Sequence, residues 1–131
     1  MLKKVKKFLC ITLAICCMIV ATTAFAGSAT KTWQLPYHNI TGKLTTSPGY
    51  IAYSSTTING STAGHESYQA YAYVEGVDVN GIRIGSGIQA YGKPTATTSN
   101  LYVRSAAYFN SAHNTTDPGD QSQFLQLSAM P

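Results

Sequence analysis

Apolar and polar residues alternate with a period of two along most of the chain after residue 26, and no segment there has apolar residues at helical spacing. The alternating segments are rich in Tyr, Val, Ile and Thr, which suit the pleated, half-buried surface of a sheet. The pattern predicts an all-β domain. The predicted strands are Lys31–Pro36, Ile40–Thr46, Tyr50–Ile58, Glu66–Val79, Ile82–Tyr91, Leu101–Phe109 and Gln123–Ala129.

Turn sequences separate several of these segments: Ser47-Pro48-Gly49, Gly92-Lys93-Pro94 and Asp117-Pro118-Gly119. Several short strands joined by such turns predict a small antiparallel β-sandwich of about 6–8 strands, with a small closed β-barrel as the alternative. The polar stretch Asn110–Gln121, which contains a proline and a glycine, is predicted to be a mobile loop.

The first 26 residues have the organisation of a secretory signal peptide. Four lysines among the first seven residues precede the apolar run Phe8–Ala21, and Ala24-Phe25-Ala26 offers the small residues that signal peptidase requires. The run of 14 residues is shorter than the roughly 20 that span a bilayer, so no retained membrane span is expected. We therefore predict cleavage after Ala26, secretion to the cell exterior, and a single domain over residues 27–131.

Cleavage would change the composition of the chain. The whole sequence has 9 Lys+Arg and 5 Asp+Glu, a formal charge of +4, and all of the excess comes from the four leader lysines. The remaining 105 residues are formally neutral, which argues against a nucleic-acid partner. All three cysteines are in the leader, so the mature domain is cysteine-free and has no disulfide, while it keeps all nine tyrosines.

Asn-Gly pairs predict two tight hairpins. A two-residue turn at Asn80-Gly81 would place Val79 opposite Ile82 and pair Asp78 with Arg83 as an ion pair. A similar turn is expected at Asn59-Gly60, although the residues that flank this pair are mostly Ser and Thr.

Unbroken pairing away from Asn80-Gly81 would bury Glu75 without a partner. One extra residue in the first strand near Gly76, a β-bulge, removes this conflict. Ala70, Ala72 and Val74 then face inward with Ile88 and Ala90, while the polar and aromatic residues of both strands face outward.

No catalytic or metal-binding constellation is evident. His38, His65 and His113 are not at metal-ligand spacing and are interpreted as surface or turn residues. Adjacent side chains in a strand point to opposite faces, so His65-Glu66-Ser67 cannot form a relay. Asp117 and Asp120 are interpreted as an Asp-capped turn rather than a calcium site. We therefore predict no enzymatic activity, no cofactor and no metal.

The most distinctive functional feature is an aromatic surface on the Asn80 hairpin. We define the tyrosine face as Tyr71, Tyr73, Tyr91, Gln69 and Gln89, with Trp33 and Tyr37 as an extension. Exposed rings beside amides would stack on sugars or dock a protein. The alternative is that these rings cover the core, with their hydroxyl groups in water.

The leader, the early Trp33, the segment His65-Glu66-Ser67-Tyr68 and the pair Tyr108-Phe109 resemble the small secreted bacteriocins of the lactococcin type. That resemblance implies a cysteine-free β-sandwich with antibacterial activity. The present chain departs from the family's pattern because it continues well past Tyr108-Phe109.

Three functional hypotheses follow. The first is a secreted, non-enzymatic binding, matrix or envelope-associated protein whose partner is a protein or glycan at the cell surface or outside the cell. This hypothesis leaves self-association open. The second is a bacteriocin-like antibacterial protein, and the third is an inhibitor that presents the Asn110–Gln121 stretch to a secreted hydrolase.

Overall fold

The computed structural model describes residues 27–121 and 125–131, and the predicted signal peptide lies outside these ranges. Nine strands form in the described part of the chain. They are β1 (Ser28–Gln34), β2 (His38–Ser47), β3 (Ile51–Ser61), β4 (Ala70–Val77), β5 (Arg83–Gly92), β6 (Thr95–Thr97), β7 (Leu101–Tyr102), β8 (Tyr108–Thr115) and β9 (Gln126–Ala129).

The strands form two antiparallel sheets. The first sheet has the order β1-β2-β3-β6, with β7 pairing with another part of β3, and the second has the order β5-β4-β8-β9. The predicted all-β class is confirmed, and the strands lie in two sheets rather than one. Residues 27–121 and 125–131 contain no helix with the length and apolar character that a membrane crossing requires.

The two sheets share a core made by alternate side chains of their strands. Leu44 and Ala52 from the first sheet pack with Val74 and Phe109 from the second. A second cluster joins Ile40 to Leu35 and Leu125. The period of two in the sequence therefore corresponds to an inward and an outward side of each strand.

The segment Leu101–Phe109 is not one strand, contrary to the prediction. Its first two residues form β7 in the first sheet, whereas Tyr108 and Phe109 begin β8 in the second. The predicted mobile loop is also wrong over its first half, because Asn110–Thr115 belongs to β8. Ser111, His113 and Thr115 are buried there, so the inward side of this strand is polar.

The turn at Asn80-Gly81 has three residues rather than two. The Asp78 amide donates to the Ile82 carbonyl, and Gly81 alone has a positive φ, of 78°. Val77 therefore pairs with Arg83, and Val79 is 84% exposed. The predicted apolar pair and ion pair are wrong, since the Asp78 carboxylate accepts from the amides of Asn80 and Ile82.

Asn59-Gly60 is not a turn. Both residues lie within β3, which continues to Ser61 and pairs with the start of β2. The register shifts beside Asn39 and Ile40, so the pair occupies an irregular point of the ladder. Asn39 pairs with Gly60 and Ile40 pairs with Ile58, so Asn59 is an extra residue in β3, and a glycine within a strand often marks such a bulge.

The predicted break in the ladder beside Gly76 is confirmed, but the extra residues are in the partner strand. Val74 pairs with Ile88 and Gly76 pairs with Ile84, so one residue of β4 opposes three residues of β5. Gly85 has a φ of 68° at this point. The break places Ala70, Ala72 and Val74 in the core, as predicted, and leaves Glu75 half-buried.

Gly42 leaves room for two rings between the sheets. A Cβ atom on this residue would lie 2.5 Å from Cγ of His113 and 2.6 Å from Cζ3 of Trp33. We expect Gly42→Ala to lower the free energy of unfolding by about 1–3 kcal/mol, because both rings would have to move in a packed core.

Urea unfolding of residues 27–131 measures the effect of Gly42→Ala. Gly60→Ala is the matched control, since Gly60 also lies in a strand but an added Cβ there meets no atom within 4 Å. Equal effects of the two substitutions would contradict the packing role of Gly42.

Candidate functional site

The tyrosine face lies on the outer side of the second sheet. Tyr91 of β5, Tyr71 of β4 and Asn114 of β8 are register partners in one row across three strands. In the next row, Gln89 pairs with Tyr73. The strand register thus brings together four of the predicted residues, Tyr71, Tyr73, Tyr91 and Gln89, and adds Asn114, which was not predicted.

A cavity of about 400 Å³ opens beside the first row. The rings of Tyr71 and Tyr91 contribute to it, with centroids 5.3 Å apart and planes inclined by 47°. The residues that line it are Tyr71, Tyr91, Ala112, His113, Asn114, Thr115, Thr116, Gln121 and Leu125. The cavity therefore combines two aromatic rings with amide and hydroxyl groups, the composition expected of a small-ligand site.

Tyr73 has a different environment from Tyr71 and Tyr91. Its hydroxyl donates to Oε2 of Glu75 at 2.9 Å and accepts from Nη1 of Arg83 at 3.4 Å. A Cβ on Gly87 would lie 2.1 Å from the hydroxyl oxygen, so the ring extends over this glycine. Tyr73 is therefore fixed to its own sheet and does not line the cavity.

The hydroxyl groups of Tyr71 and Tyr73 remain protonated at neutral pH. Burial raises the pKa of Tyr71, and the neighbouring Tyr91 and Tyr73 raise it further. Burial is also the main cause of the raised pKa of Tyr73. Tyr71 can therefore donate a hydrogen bond to a ligand.

The remaining predicted residues lie at or beyond the margin of this face. Gln69 is exposed just before β4, where its backbone N–H donates a hydrogen bond to Oγ1 of Thr116. Trp33 lies in β1 of the other sheet and stacks on His113, and Tyr37 stacks on His65. Neither Trp33 nor Tyr37 lines the cavity.

A second polar site, the His–Asp cluster, brings together His38, His65, Asp117 and Asp120 from three separate parts of the chain. His38 begins β2, His65 lies between β3 and β4, and the aspartates belong to the turn after β8. Nδ1 of His38 lies 2.5 Å from Oδ2 of Asp120 and 3.9 Å from Oδ2 of Asp117. Nδ1 of His65 is hydrogen-bonded to the same Oδ2 of Asp117.

The cluster is largely removed from solvent. The side chains of His38 and Asp120 are 0% exposed and that of Asp117 is 3% exposed, whereas that of His65 is 28% exposed. The interpretation of the histidines as surface or turn residues is therefore wrong for His38, and also for His113, which is buried. These contacts join residues that are more than 50 positions apart in the chain, so no local sequence motif indicates them.

Backbone amides and a hydroxyl fix both carboxylates. Oδ1 of Asp120 accepts from the Tyr37 amide at 2.9 Å, and Oδ1 of Asp117 accepts from the Gly119 amide at 2.9 Å. The Thr115 hydroxyl donates to Oδ2 of Asp120 at 2.8 Å. The predicted Asp-capped turn is thus present, and it also directs both Oδ2 atoms toward His38.

The proton arrangement of His38 follows from its partners. Nε2 lies 2.9 Å from the backbone carbonyl of His65. A carbonyl oxygen can only accept, so Nε2 carries a proton and a neutral His38 ring has its lone pair at Nδ1. That lone pair faces the Asp120 carboxylate, so a proton or another cation must lie between them.

The electrostatics of Asp117 reflect opposing effects. Burial raises its pKa, but the hydrogen bonds from His65 and the Gly119 amide and the nearby histidine charges lower it by more. The net result is a pKa below the usual value for aspartate. Asp117 is therefore ionised at neutral pH and can attract a cation.

Aromatic rings surround the exposed side of the cluster. The rings of Tyr37 and His65 are stacked, with centroids 3.8 Å apart and planes inclined by 4°. Tyr68 lies edge-on to His38 and 6.0 Å from His65. A Cβ on Gly119 would lie 2.1 Å from the Tyr37 ring, so the aspartate turn packs directly against that tyrosine.

His113 forms a separate buried polar site between the sheets. Nδ1 lies 2.9 Å from the Thr56 hydroxyl and Nε2 lies 2.7 Å from the Ser111 hydroxyl. Burial lowers the pKa of His113 to about 4, despite an opposing hydrogen bond with the backbone of Ser55. The ring is therefore neutral at physiological pH, and both of its nitrogens are hydrogen-bonded to hydroxyl groups in the core.

No family model, curated protein or solved structure matches this chain. The resemblance to lactococcin-type bacteriocins remains a prediction from the residues alone.

Proposed function

We propose that the chain is an exported, non-enzymatic binding protein with a β-sandwich domain, and that it takes a glycan in the cavity beside Tyr71 and Tyr91. The observation that carries this proposal is the pair of inclined rings at a cavity of about 400 Å³. Aromatic rings offer flat apolar surface to the C–H face of a sugar, and their hydroxyl groups stay in contact with water.

The polar residues of the cavity support a sugar ligand. Asn114, Thr116 and Gln121 supply amide and hydroxyl groups near the rings. These groups both donate and accept hydrogen bonds, as sugar hydroxyls do. No Lys, Arg, Asp or Glu lines the cavity in the described ranges, which favours a neutral ligand over a charged one.

We expect Tyr71→Ser combined with Tyr91→Ser to weaken glycan binding by about tenfold or more, since loss of each ring removes about 1 kcal/mol of contact energy. The measurement is binding of the mature domain to an array of peptidoglycan fragments, chitin oligosaccharides and cellulose oligosaccharides. Thermal unfolding should change little, because Tyr91 is 53% exposed and Tyr71 is half-buried on an outer face.

Tyr102→Ser is the matched control, because Tyr102 is 61% exposed and lies in the first sheet. It should leave glycan binding unchanged. Equal binding by wild type and the double variant would reject the cavity as the binding site, and a collapse in stability would place the two rings in a structural role.

A further inference from the structure

We propose that His38, Asp117 and Asp120 form a binding site for a divalent transition-metal ion, with zinc as the reference ion. One ligand atom from each of these residues lies within 4.8 Å of the other two. Imidazole nitrogen and carboxylate oxygen are both common zinc ligands. This site is separate from the proposed glycan cavity, because none of the three residues lines that cavity.

The hydrogen-bond geometry around His38 is the main argument for a cation. Its Nε2–H is committed to the His65 carbonyl, so the Nδ1 lone pair points at the carboxylate oxygen of Asp120. A ring that donates one N–H to a backbone carbonyl and presents the other nitrogen to the ion is the usual arrangement of a metal-bound histidine. A metal ion would take the place of the proton between the two groups.

Hydrogen bonds orient both carboxylates for metal binding. Each Oδ1 accepts a hydrogen bond from a backbone amide, Tyr37 for Asp120 and Gly119 for Asp117, so each Oδ2 is held toward His38. Such outer contacts orient metal ligands and reduce the reorganisation that binding requires.

The charges of the site also match a divalent ion. The salt bridges found within residues 27–121 and 125–131 are those of Asp117 and Asp120 with His38 and His65. Once a metal has displaced the proton between His38 and Asp120, the three ligands are two carboxylates and an uncharged imidazole, with two negative charges that one divalent cation neutralises. Because burial makes unpaired charge costly, this neutralisation favours metal binding at neutral pH.

His65 is a positioning residue in this arrangement. Its Nδ1–H donates to Oδ2 of Asp117, and that oxygen retains a second lone pair for a metal. The ring lies on the partly exposed side of the cluster, stacked on Tyr37. Three protein ligands leave a fourth position for water on that side.

The test is calorimetric titration of ZnCl₂ into the mature domain after treatment with EDTA, in two buffers that differ in ionisation enthalpy. We expect one zinc ion to bind per chain and about one proton to be released per ion, because the metal displaces the proton between His38 and Asp120. Calcium and magnesium should bind more weakly than zinc, since they prefer sites made of oxygen ligands.

Asp120→Asn is the informative variant because the amide keeps the shape of the carboxylate. Its Oδ1 can still accept from Tyr37, and its Nδ2–H can donate to the Nδ1 lone pair of His38. We expect zinc affinity to fall about tenfold or more while the metal-free fold is retained. Asp78→Asn removes a carboxylate from the β4–β5 turn, outside the cluster, and should leave zinc affinity unchanged.

Three results would overturn the proposal: no zinc binding to the wild-type domain, equal zinc affinity in wild type and Asp120→Asn, or tighter binding of calcium than of zinc. If Asp120→Asn does not fold, ¹⁵N chemical shifts of the His38 ring in the wild-type domain decide the question. A zinc-dependent shift at Nδ1 supports the site, and unchanged ring shifts reject it.

Discussion

Replacing Asp120 by alanine is expected to lower the free energy of unfolding by about 3–5 kcal/mol, because removal of one member of a buried charged pair leaves its partners unsatisfied. Asp120 accepts hydrogen bonds from the Tyr37 amide and the Thr115 hydroxyl and contacts Nδ1 of His38. These contacts join the start of β2 to the turn after β8. Urea unfolding of residues 27–131 in EDTA measures the loss without a contribution from metal.

Asp120→Asn separates the geometric role of Asp120 from its charge. An asparagine can satisfy Tyr37 and His38 together and loses only the hydrogen bond that the Thr115 hydroxyl donates to Oδ2, so this variant should lose less stability than Asp120→Ala. If both substitutions lower the free energy of unfolding by less than about 1 kcal/mol, a typical effect of a point mutation, the cluster does not stabilise the contact between these two segments.

Acidification from pH 7 to pH 4 is expected to remove about 3 kcal/mol of stability through His113 alone, because burial lowers its pKa from 6.5 to about 4. The folded state favours the neutral ring, so this contribution is complete above pH 6.5. This contribution is lost as the pH falls from 6.5 to 4, because over this range His113 binds a proton more readily in the unfolded chain than in the folded chain.

His113→Gln isolates this effect from the other titrating groups. Glutamine does not ionise, so the difference in unfolding free energy between wild type and variant should shrink or change sign as the pH falls. Urea unfolding at intervals between pH 7 and pH 4 gives this difference directly. A constant difference over the whole range would show that His113 titrates alike in the folded and unfolded chain.

The fold was largely predictable because the alternation of apolar and polar residues is a local property of the sequence. Alternation of buried and exposed residues defines β2, β4 and the inward face of Ala70, Ala72 and Val74. The turn at Asn80-Gly81 was less predictable, because a single positive φ at glycine also fits a three-residue turn. Alternation within Leu101–Phe109 gave no indication that the chain passes from one sheet to the other.

The polar interior was not predictable from apolar alternation. In β8, Ser111, His113 and Thr115 alternate with outward residues as regularly as an apolar strand does, but their polarity indicated a loop. Their burial is tolerated since each finds a hydrogen-bond partner.

The tyrosine face was predictable because it depends on one hairpin, whereas the His–Asp cluster depends on how distant segments meet. Tyr71 and Tyr91 are direct register partners in adjacent strands. His38 and Asp120 are 82 residues apart, and their proximity depends on the packing of both sheets. No local spacing rule for metal ligands covers such a separation.

The irregular stretch of β5 beside Gly85 has a consequence for assembly. In the described part of the chain, β5 is an edge of the second sheet, where free amides and carbonyls could pair with a strand of another molecule. Three residues crowded opposite one, with a left-handed glycine among them, interrupt that row of groups midway along the strand. A β-bulge is one of the features that protect exposed sheet edges, so this one disfavours edge-to-edge pairing of two copies of the protein along the part of β5 beside Gly85.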